Sequence, residues 1–158
     1  MSIGRRVYGL GAITLGLPGL IRGSFAAMGL AVPATLPGHQ ILAWFSAGLL
    51  IAAGLAINLR RTAAVASLTL AAFFALWVVA LALPKAIAEF ATWVSWEGVA
   101  EPMVMALGGV LAFALTGETR AAAIVRIARP LFGVGLMVFG TSEFVYAAFT
   151  ASLVPAWL

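Results

Sequence analysis

The chain has 158 residues, of which 64% are hydrophobic and 9% are charged, and its mean hydropathy is +1.13. A soluble domain carries about 25% charged residues, so this chain lacks the polar surface that water requires. The composition excludes a soluble globular protein and predicts an integral membrane protein.

The net charge of +4 does not indicate a nucleic-acid-binding protein. The nine basic residues stand in small groups between apolar runs, whereas a nucleic-acid surface clusters such residues with aromatic ones. The chain has no cysteine and a single histidine. It therefore forms no disulfide and no cysteine-bound metal cluster, and it cannot supply a bis-histidine haem site alone.

A helix needs about 20 mainly apolar residues to cross a bilayer. The first candidate span follows Arg5-Arg6, where a secretory signal peptide is the competing interpretation. No small-x-small cleavage site follows it, which favours a retained span. The fifth candidate has Pro130 at its first helical turn, a position that suits proline. The five predicted spans are Val7–Gly29, Ile41–Leu59, Thr62–Leu83, Val99–Thr116 and Pro130–Phe149.

The segment between the third and fourth spans, KAIAEFATWVSWEG at 85–98, is too short and too charged to cross the membrane. Its Trp93 and Trp96 suit the membrane–water interface, where an indole ring keeps one end in water. The sequence predicts a short interfacial helix here. With the spans, it predicts an all-α polytopic transmembrane bundle that forms one domain over residues 1–158.

The basic residues fall mostly on one side of a five-span topology. Seven lie on the side of the N-terminus, namely Arg5, Arg6, Arg60, Arg61, Arg120, Arg126 and Arg129, and the other side has Arg22 and Lys85. Basic residues concentrate in cytoplasmic loops. The sequence therefore predicts a multi-pass protein of the inner (cytoplasmic) membrane, with the N-terminus in the cytoplasm and the C-terminus outside.

Two segments, about 7–36 and 131–158, share a pattern that predicts an internal repeat. Gly9, Gly11, Gly16, Phe25 and Ala27 lie 124 residues before Gly133, Gly135, Gly140, Phe149 and Ala151. After a two-residue slip, VPATL at 32–36 matches VPAWL at 154–158. Glycine and alanine are common in this chain, so chance is the alternative explanation. Both copies begin on the same side, which makes the repeat parallel.

The chain contains three distinctive stretches: GSFAAMGLAVPATLPGHQILAWFSAGLLIAAGLAI, the LP…W…EPMVMALGGVLAF region and FGTSEFVYAAFTASLVPAWL. They resemble the DoxX-like family of small bacterial membrane proteins. Relatives usually continue after VPAWL with Pro-Gly and another apolar helix, so the resemblance predicts that this chain lacks the final helix. They often have histidine at the position of Glu143. The resemblance implies a role in membrane redox complexes, with a quinone as cofactor. The residues themselves indicate no cofactor.

Placing an ionisable side chain inside a membrane span costs free energy, so residues of this kind are functional candidates. Arg22 and Glu143 are predicted at similar depth, where they either form an intramembrane ion pair or separately face the headgroups and an outer vestibule. Glu101 is predicted in the first turn of its span. There it either complements the helix dipole or contributes to an outward-facing polar pocket.

His39, Trp93 and Trp96 are the candidates for a pocket on the outer face. His39 is either a solvated loop residue or a proton-exchanging and quinone-binding group. The two tryptophans either anchor the protein at the interface or flank a quinone headgroup. The glycines at 9, 11, 16 and 19 are expected to let helices approach closely. The sequence has no metal-ligand set and no nucleophile–base arrangement, so neither a metal site nor an autonomous enzyme is expected.

The leading functional hypothesis is a membrane subunit or anchor of a quinone-linked oxidoreductase complex. Its partners would be the lipid bilayer and either an oxidoreductase subunit or a second copy of the chain, without nucleic acid. A small-solute transporter or exporter is one alternative, in which repeats enclose a site at the membrane midplane. A structural or assembly protein without catalytic activity is the other.

Overall fold

A computed structural model of the protein describes residues 2–28, 30, 32–33, 35–117, 121–147 and 151, without the side chains of Ala27, Ala121 and Glu143. All elements of this part are helical, as the sequence predicts. A 3-10 turn at Ala26–Met28 and a π-helical segment at Val78–Ala82 interrupt the α-helices. These helices are α1 (Ile3–Arg22), α2 (His39–Ala56), α3 (Ala63–Trp77), α4 (Leu83–Ala88), α5 (Trp93–Ala114) and α6 (Ala121–Val145).

Four helical stretches are long and apolar enough to cross a membrane. They are His39–Ala56, Ala63–Ala88, Trp93–Ala114 and Ala122–Ser142. The 20-residue α1, which contains three arginines, is not among them. The protein is therefore a multi-pass membrane protein with four candidate spans, and the fifth span stays a prediction.

The α1 helix ends earlier in the chain than the predicted first span. It ends at Arg22, because Gly23 adopts a left-handed conformation (φ 58°) and its N–H donates to the Gly19 carbonyl at 2.8 Å. Such a cap satisfies the orphan carbonyls of the last turn. The prediction that the first helix continues to Gly29 is therefore wrong by about two turns.

Residues 85–98 do not form the separate interfacial helix that the sequence predicts. Lys85 belongs to α4, which continues α3 through the π-helical segment, while Trp93 and Trp96 lie in the first turn of α5. Pro84 directly follows the predicted third span, which it would close as a helix breaker, but it occupies the start of α4. The wider π turn just before it offers room for the proline ring, which clashes with the carbonyl four residues earlier in a regular α-helix.

The α6 helix begins nine residues before the predicted fifth span. Pro130 lies inside this helix instead of at its first turn. Only 11% of Ala122–Ser142 is buried, against 28% to 33% of the other three candidate spans. The helix packs along α5 and leaves most of its surface to the surroundings. The second copy of the predicted repeat ends in residues 148–150 and 152–158, which lie outside the described residues.

Glycines allow close contact between α1 and α2 and between α3 and α5. On α1, Gly9 and Gly16 face α2, and an added Cβ on Gly9 would lie 2.7 Å from the Gly54 carbonyl oxygen. On α5, an added Cβ on Gly109 would lie 2.9 Å from the backbone of Ala71. Helices in membranes associate through such small residues. The core of the bundle therefore lies between α1 and α2 and between α3 and α5.

Candidate functional site

A cavity of about 100 Å³ lies between α1, α3, α4 and α5. It sits at the end of the bundle that carries the loop from Gly23 to Gly38 and the turn from Glu89 to Thr92, which we call the cavity end. Met28 and Leu30 from that loop form part of its wall, and both are almost completely buried. The cavity is smaller than the ~150 Å³ that accepts benzene. It therefore suits one edge of a ring or a group of similar size.

Four polar side chains border this largely apolar cavity, those of Trp77, Lys85, Ser95 and Glu101. Lys85 of α4 and Glu101 of α5 are exposed side chains at its border, and Trp77 of α3 lies deeper. The indole nitrogen Nε1 of Trp77 is buried and has no hydrogen-bond partner among the described residues. Native proteins rarely leave a buried donor unsatisfied. Trp77 therefore carries an unused donor and lines the same cavity as one cation and one carboxylate.

Aromatic rings hold Trp77 in place. Phe73 stacks on it with ring centroids 5.5 Å apart, and Phe25 contacts it at 5.3 Å. The ring of His39 packs edge-to-face with Phe25, with ring centroids 5.1 Å apart. Stacked and edge-to-face pairs favour fixed geometry. The indole therefore contacts one ring from its own helix and one ring from the loop after α1, and His39 of α2 packs against the latter.

The turn between α4 and α5 is held by a hydrogen-bond network. The Ser95 hydroxyl, which is buried, donates to Oε2 of Glu89 at 2.6 Å and lies 2.7 Å from Oγ1 of Thr92. Thr92 Oγ1 also donates to the Glu89 carbonyl at 2.8 Å. Because Ser95 lines the cavity, this network fixes the position of the first turn of α5 at the cavity wall.

A hydrogen bond from α1 also fixes part of the cavity wall. The Tyr8 hydroxyl of α1 donates to the carbonyl oxygen of Met105 at 2.7 Å, and Met105 lines the cavity. The Tyr8 ring lies over Gly108, where an added Cβ would come within 2.8 Å of it. Carbonyl groups inside a helix rarely accept a hydrogen bond from another helix. This contact therefore links α1 to α5 specifically.

A larger apolar groove of about 500 Å³ runs along the other side of the α3–α5 contact. Alanine, valine, leucine and methionine side chains line it, including Leu68, Val79 and Leu107. It offers no polar group for a ligand to recognise, and lipid chains suit such a surface. The smaller cavity is therefore the better candidate for a functional site.

Of the six predicted site residues, the structure places Glu101 at this cavity. Since α5 begins at Trp93, Glu101 lies two turns inside the helix, and the prediction that it complements the dipole in the first turn is wrong. His39, Trp93 and Trp96 do not line the cavity. Trp96 instead donates from Nε1 to the Phe90 carbonyl at 3.0 Å.

Arg22 lies exposed in the last turn of α1, and Glu143 lies near the end of α6. The main packing partner of α1 is α2, and that of α6 is α5. The Glu143 side chain is outside the described part of the structure, so its pairing with Arg22 stays a prediction. No group of three or more His, Asp or Glu side chains suited to a metal ion occurs among the described residues.

Sequence reasoning missed Trp77 and Lys85 as members of one site. Lys85 is the only lysine in the chain, which is a signal that the sequence does contain. Trp77 gave no signal, because a tryptophan inside an apolar span equally fits packing or interface anchoring. The two side chains approach the same cavity because the π-helical segment between them changes the direction in which the later residues project.

Comparison of this chain with protein-family models, with curated proteins and with solved structures finds no match.

Proposed function

We propose that the protein is a membrane subunit of a quinone-linked oxidoreductase complex and that its cavity binds the carbonyl edge of a quinone ring. The resemblance to the DoxX-like family led to this hypothesis. The observation that carries it is that Trp77 lines a cavity with mainly apolar walls, while its buried Nε1 has no hydrogen-bond partner among the described residues. A ligand that supplies a hydrogen-bond acceptor would satisfy this donor.

A quinone ring matches the chemistry of the cavity. Its carbonyl oxygens accept hydrogen bonds, and Trp77 and Lys85, which line the cavity, both carry N–H donors. The ring carbons at its carbonyl edge suit the apolar and aromatic surface of Phe74 and Trp77. Glu101 is placed to accept a hydrogen bond from the hydroxyl of the reduced form. Ligand sites of this kind combine apolar walls with a few placed polar groups.

The topology supports access from the membrane. In the proposed five-span arrangement, α1 also crosses the bilayer, and the arginines at its start lie in the cytoplasm. The cavity end then lies near the outer interface, where Trp93 and Trp96 would sit at headgroup level. A quinone ring resides close to that level when its tail remains in the hydrocarbon. Electrons would come from a partner subunit anchored by this protein.

Substitution of Gly98 tests the proposal without disturbing the packing of the bundle. Gly98 lines the cavity, and an added Cβ there has no atom within 4 Å. We expect Gly98→Leu to fold normally and to lower the affinity for a short-chain benzoquinone at least tenfold, because the new side chain occupies the cavity. Isothermal titration of the protein in lipid nanodiscs measures the affinity.

Gly48→Leu is the matched control, since Gly48 lies within α2, away from the cavity, and also has open space at its Cβ. It should bind the quinone like the unsubstituted protein. Equal affinity in Gly98→Leu would contradict the proposed site. Proteoliposome flux of a small solute that is lost in Gly98→Leu, together with no quinone binding, would favour the transporter hypothesis instead.

A further inference from the structure

The end of the bundle opposite the cavity carries four arginines in two adjacent segments. Arg5 and Arg6 lie in the first turn of α1, and Arg60 and Arg61 lie in the turn between α2 and α3. We call them the arginine cluster. Three of them are exposed, whereas Arg5 is only 6% exposed. A buried guanidinium among other cations requires an explanation.

The glycine contacts between α1 and α2 fix where Arg5 lies. The two helices run antiparallel, because Gly16 faces Ala47 and Leu50 while Gly9 faces Gly54 and Ile57. Arg5 precedes Gly9 by one helical turn, so it lies at the height of the residues that follow Ile57. Arg5 is also buried on the same stripe of α1 as Gly9 and Gly16. It therefore lies on the α2 side of α1, beside the turn that carries Arg60 and Arg61.

One nitrogen of the Arg5 side chain is left without a partner in the part of the chain that the structure describes. Its Nε is buried and makes no hydrogen bond there. Burying a charged group without a partner is strongly unfavourable. The carboxylates whose side chains are described, Glu89, Glu97 and Glu101, lie in the α4–α5 region at or near the cavity end. An anion from outside the described residues would complete the site.

We propose that the arginine cluster binds a phosphate-bearing anion, with Arg5 as its buried anchor and Arg60 and Arg61 as exposed contacts. A guanidinium presents a fork of donors that matches phosphate oxygens in pairs. Anionic lipid headgroups are such ligands, and each nearby arginine gains attraction from an acidic leaflet. Free phosphate has the same chemistry. This site is separate from the quinone cavity and does not depend on it.

The test measures the affinity of the purified full chain for a short-chain acidic phospholipid, a short-chain zwitterionic phospholipid and inorganic phosphate, each added to detergent solution. Thermal unfolding reports binding, since a ligand of the folded state raises Tm. We expect the acidic phospholipid to raise Tm more than the zwitterionic one does. If inorganic phosphate is equally effective, the site is confirmed and its ligand is the free anion.

Arg5→Gln should weaken binding about tenfold or more, as expected for the loss of hydrogen bonds to a charged group. Arg5→Lys keeps the charge but loses the paired N–H donors of the guanidinium, so it should also weaken binding. The joint change Arg60→Gln and Arg61→Gln tests the site with Arg5 intact, in case Arg5 variants fold poorly. Arg126→Gln, an exposed arginine of α6, removes the same charge elsewhere and should leave binding unchanged.

Two results would overturn this proposal. An equal loss of binding in Arg126→Gln and in the Arg60/Arg61 double variant would mean that only net positive charge attracts the anion. Glu118 lies outside the described residues, and its substitution tests an internal partner. If Glu118→Gln lowers Tm in detergent without added anion as much as Arg5→Gln does, Arg5 pairs with Glu118 instead.

Discussion

The contact between α1 and α2 leaves no room for a methyl group, whereas the junction of α3 and α5 at the cavity end encloses about 100 Å³. In the first region, an added Cβ on Gly54 would lie 2.6 Å from the Gly9 carbonyl oxygen. In the second, α3 and α5 touch closely at Gly109 and separate further along. Both regions are built from apolar helices, so hydropathy alone does not distinguish them.

The difference arises from local backbone features. Glycines at positions 9, 16 and 54 allow backbone atoms of α1 and α2 to meet. The π-helical segment Val78–Ala82 interrupts α3 just where the cavity begins. Such segments occur often at functional sites. A closed contact therefore stabilises the bundle, and a helix irregularity opens space for a ligand.

The largest effect is expected in the closed contact. Gly54→Val would place a branched side chain against the Gly9 carbonyl and Ile13, and overpacking of this kind costs about 1–3 kcal/mol or more. We expect a large fall in Tm or loss of monodisperse protein in size-exclusion chromatography. Gly48→Val on the same helix has the same helix propensity and open space, and it should stay well folded. Similar Tm values for the two variants would show that the α1–α2 contact is loose.

An intermediate effect is expected where α1 meets the cavity wall. Tyr8→Phe removes the hydrogen bond to the Met105 carbonyl and should lower the free energy of unfolding by about 0.5–1.5 kcal/mol. Quinone affinity should fall slightly as well, because Met105 lines the cavity. Chemical denaturation in mild detergent measures the first quantity. An unchanged free energy of unfolding would mean that this bond does not link α1 to α5.

The smallest effect, with the opposite sign, is expected on α6. Gly133 corresponds to Gly9 in the predicted repeat, but an added Cβ at Gly133 has no atom within 4 Å. Gly133→Ala should therefore raise the free energy of unfolding by about 0.5–1 kcal/mol, since alanine favours a helix over glycine. Gly9→Ala, its counterpart, should lower it. Destabilisation by both changes would support equivalent packing in the two copies of the repeat.

The sequence predicted the helical class and the apolar character of the spans, because these depend on composition over many residues. Helix ends were harder to predict. Pro84 and Pro130 were expected to mark boundaries, yet both lie within continuous helical stretches. Neighbouring helices and a π turn compensate for the missing N–H, and a single sequence does not reveal such compensation.

The candidate site was predictable only in part. Glu101 stood out because a carboxylate in an apolar span is rare. Trp77 did not, since its importance depends on a nitrogen that finds no hydrogen-bond partner in the described part of the fold. His39 was considered for ligand binding, but its ring packs against Phe25. Whether a polar group is satisfied depends on tertiary contacts, which the order of residues does not specify.

The most direct test of the quinone cavity is the indole ¹⁵N–¹H NMR signal of Trp77. The chain has five tryptophans, and Trp77→Phe assigns the relevant signal by its disappearance. Titration with a short-chain benzoquinone in nanodiscs should shift the Trp77 signal downfield, because Nε1–H gains an acceptor, while the exposed Trp44 signal stays in place. A Trp77 signal that does not move at saturating quinone, or that moves no more than that of Trp44, would contradict the account.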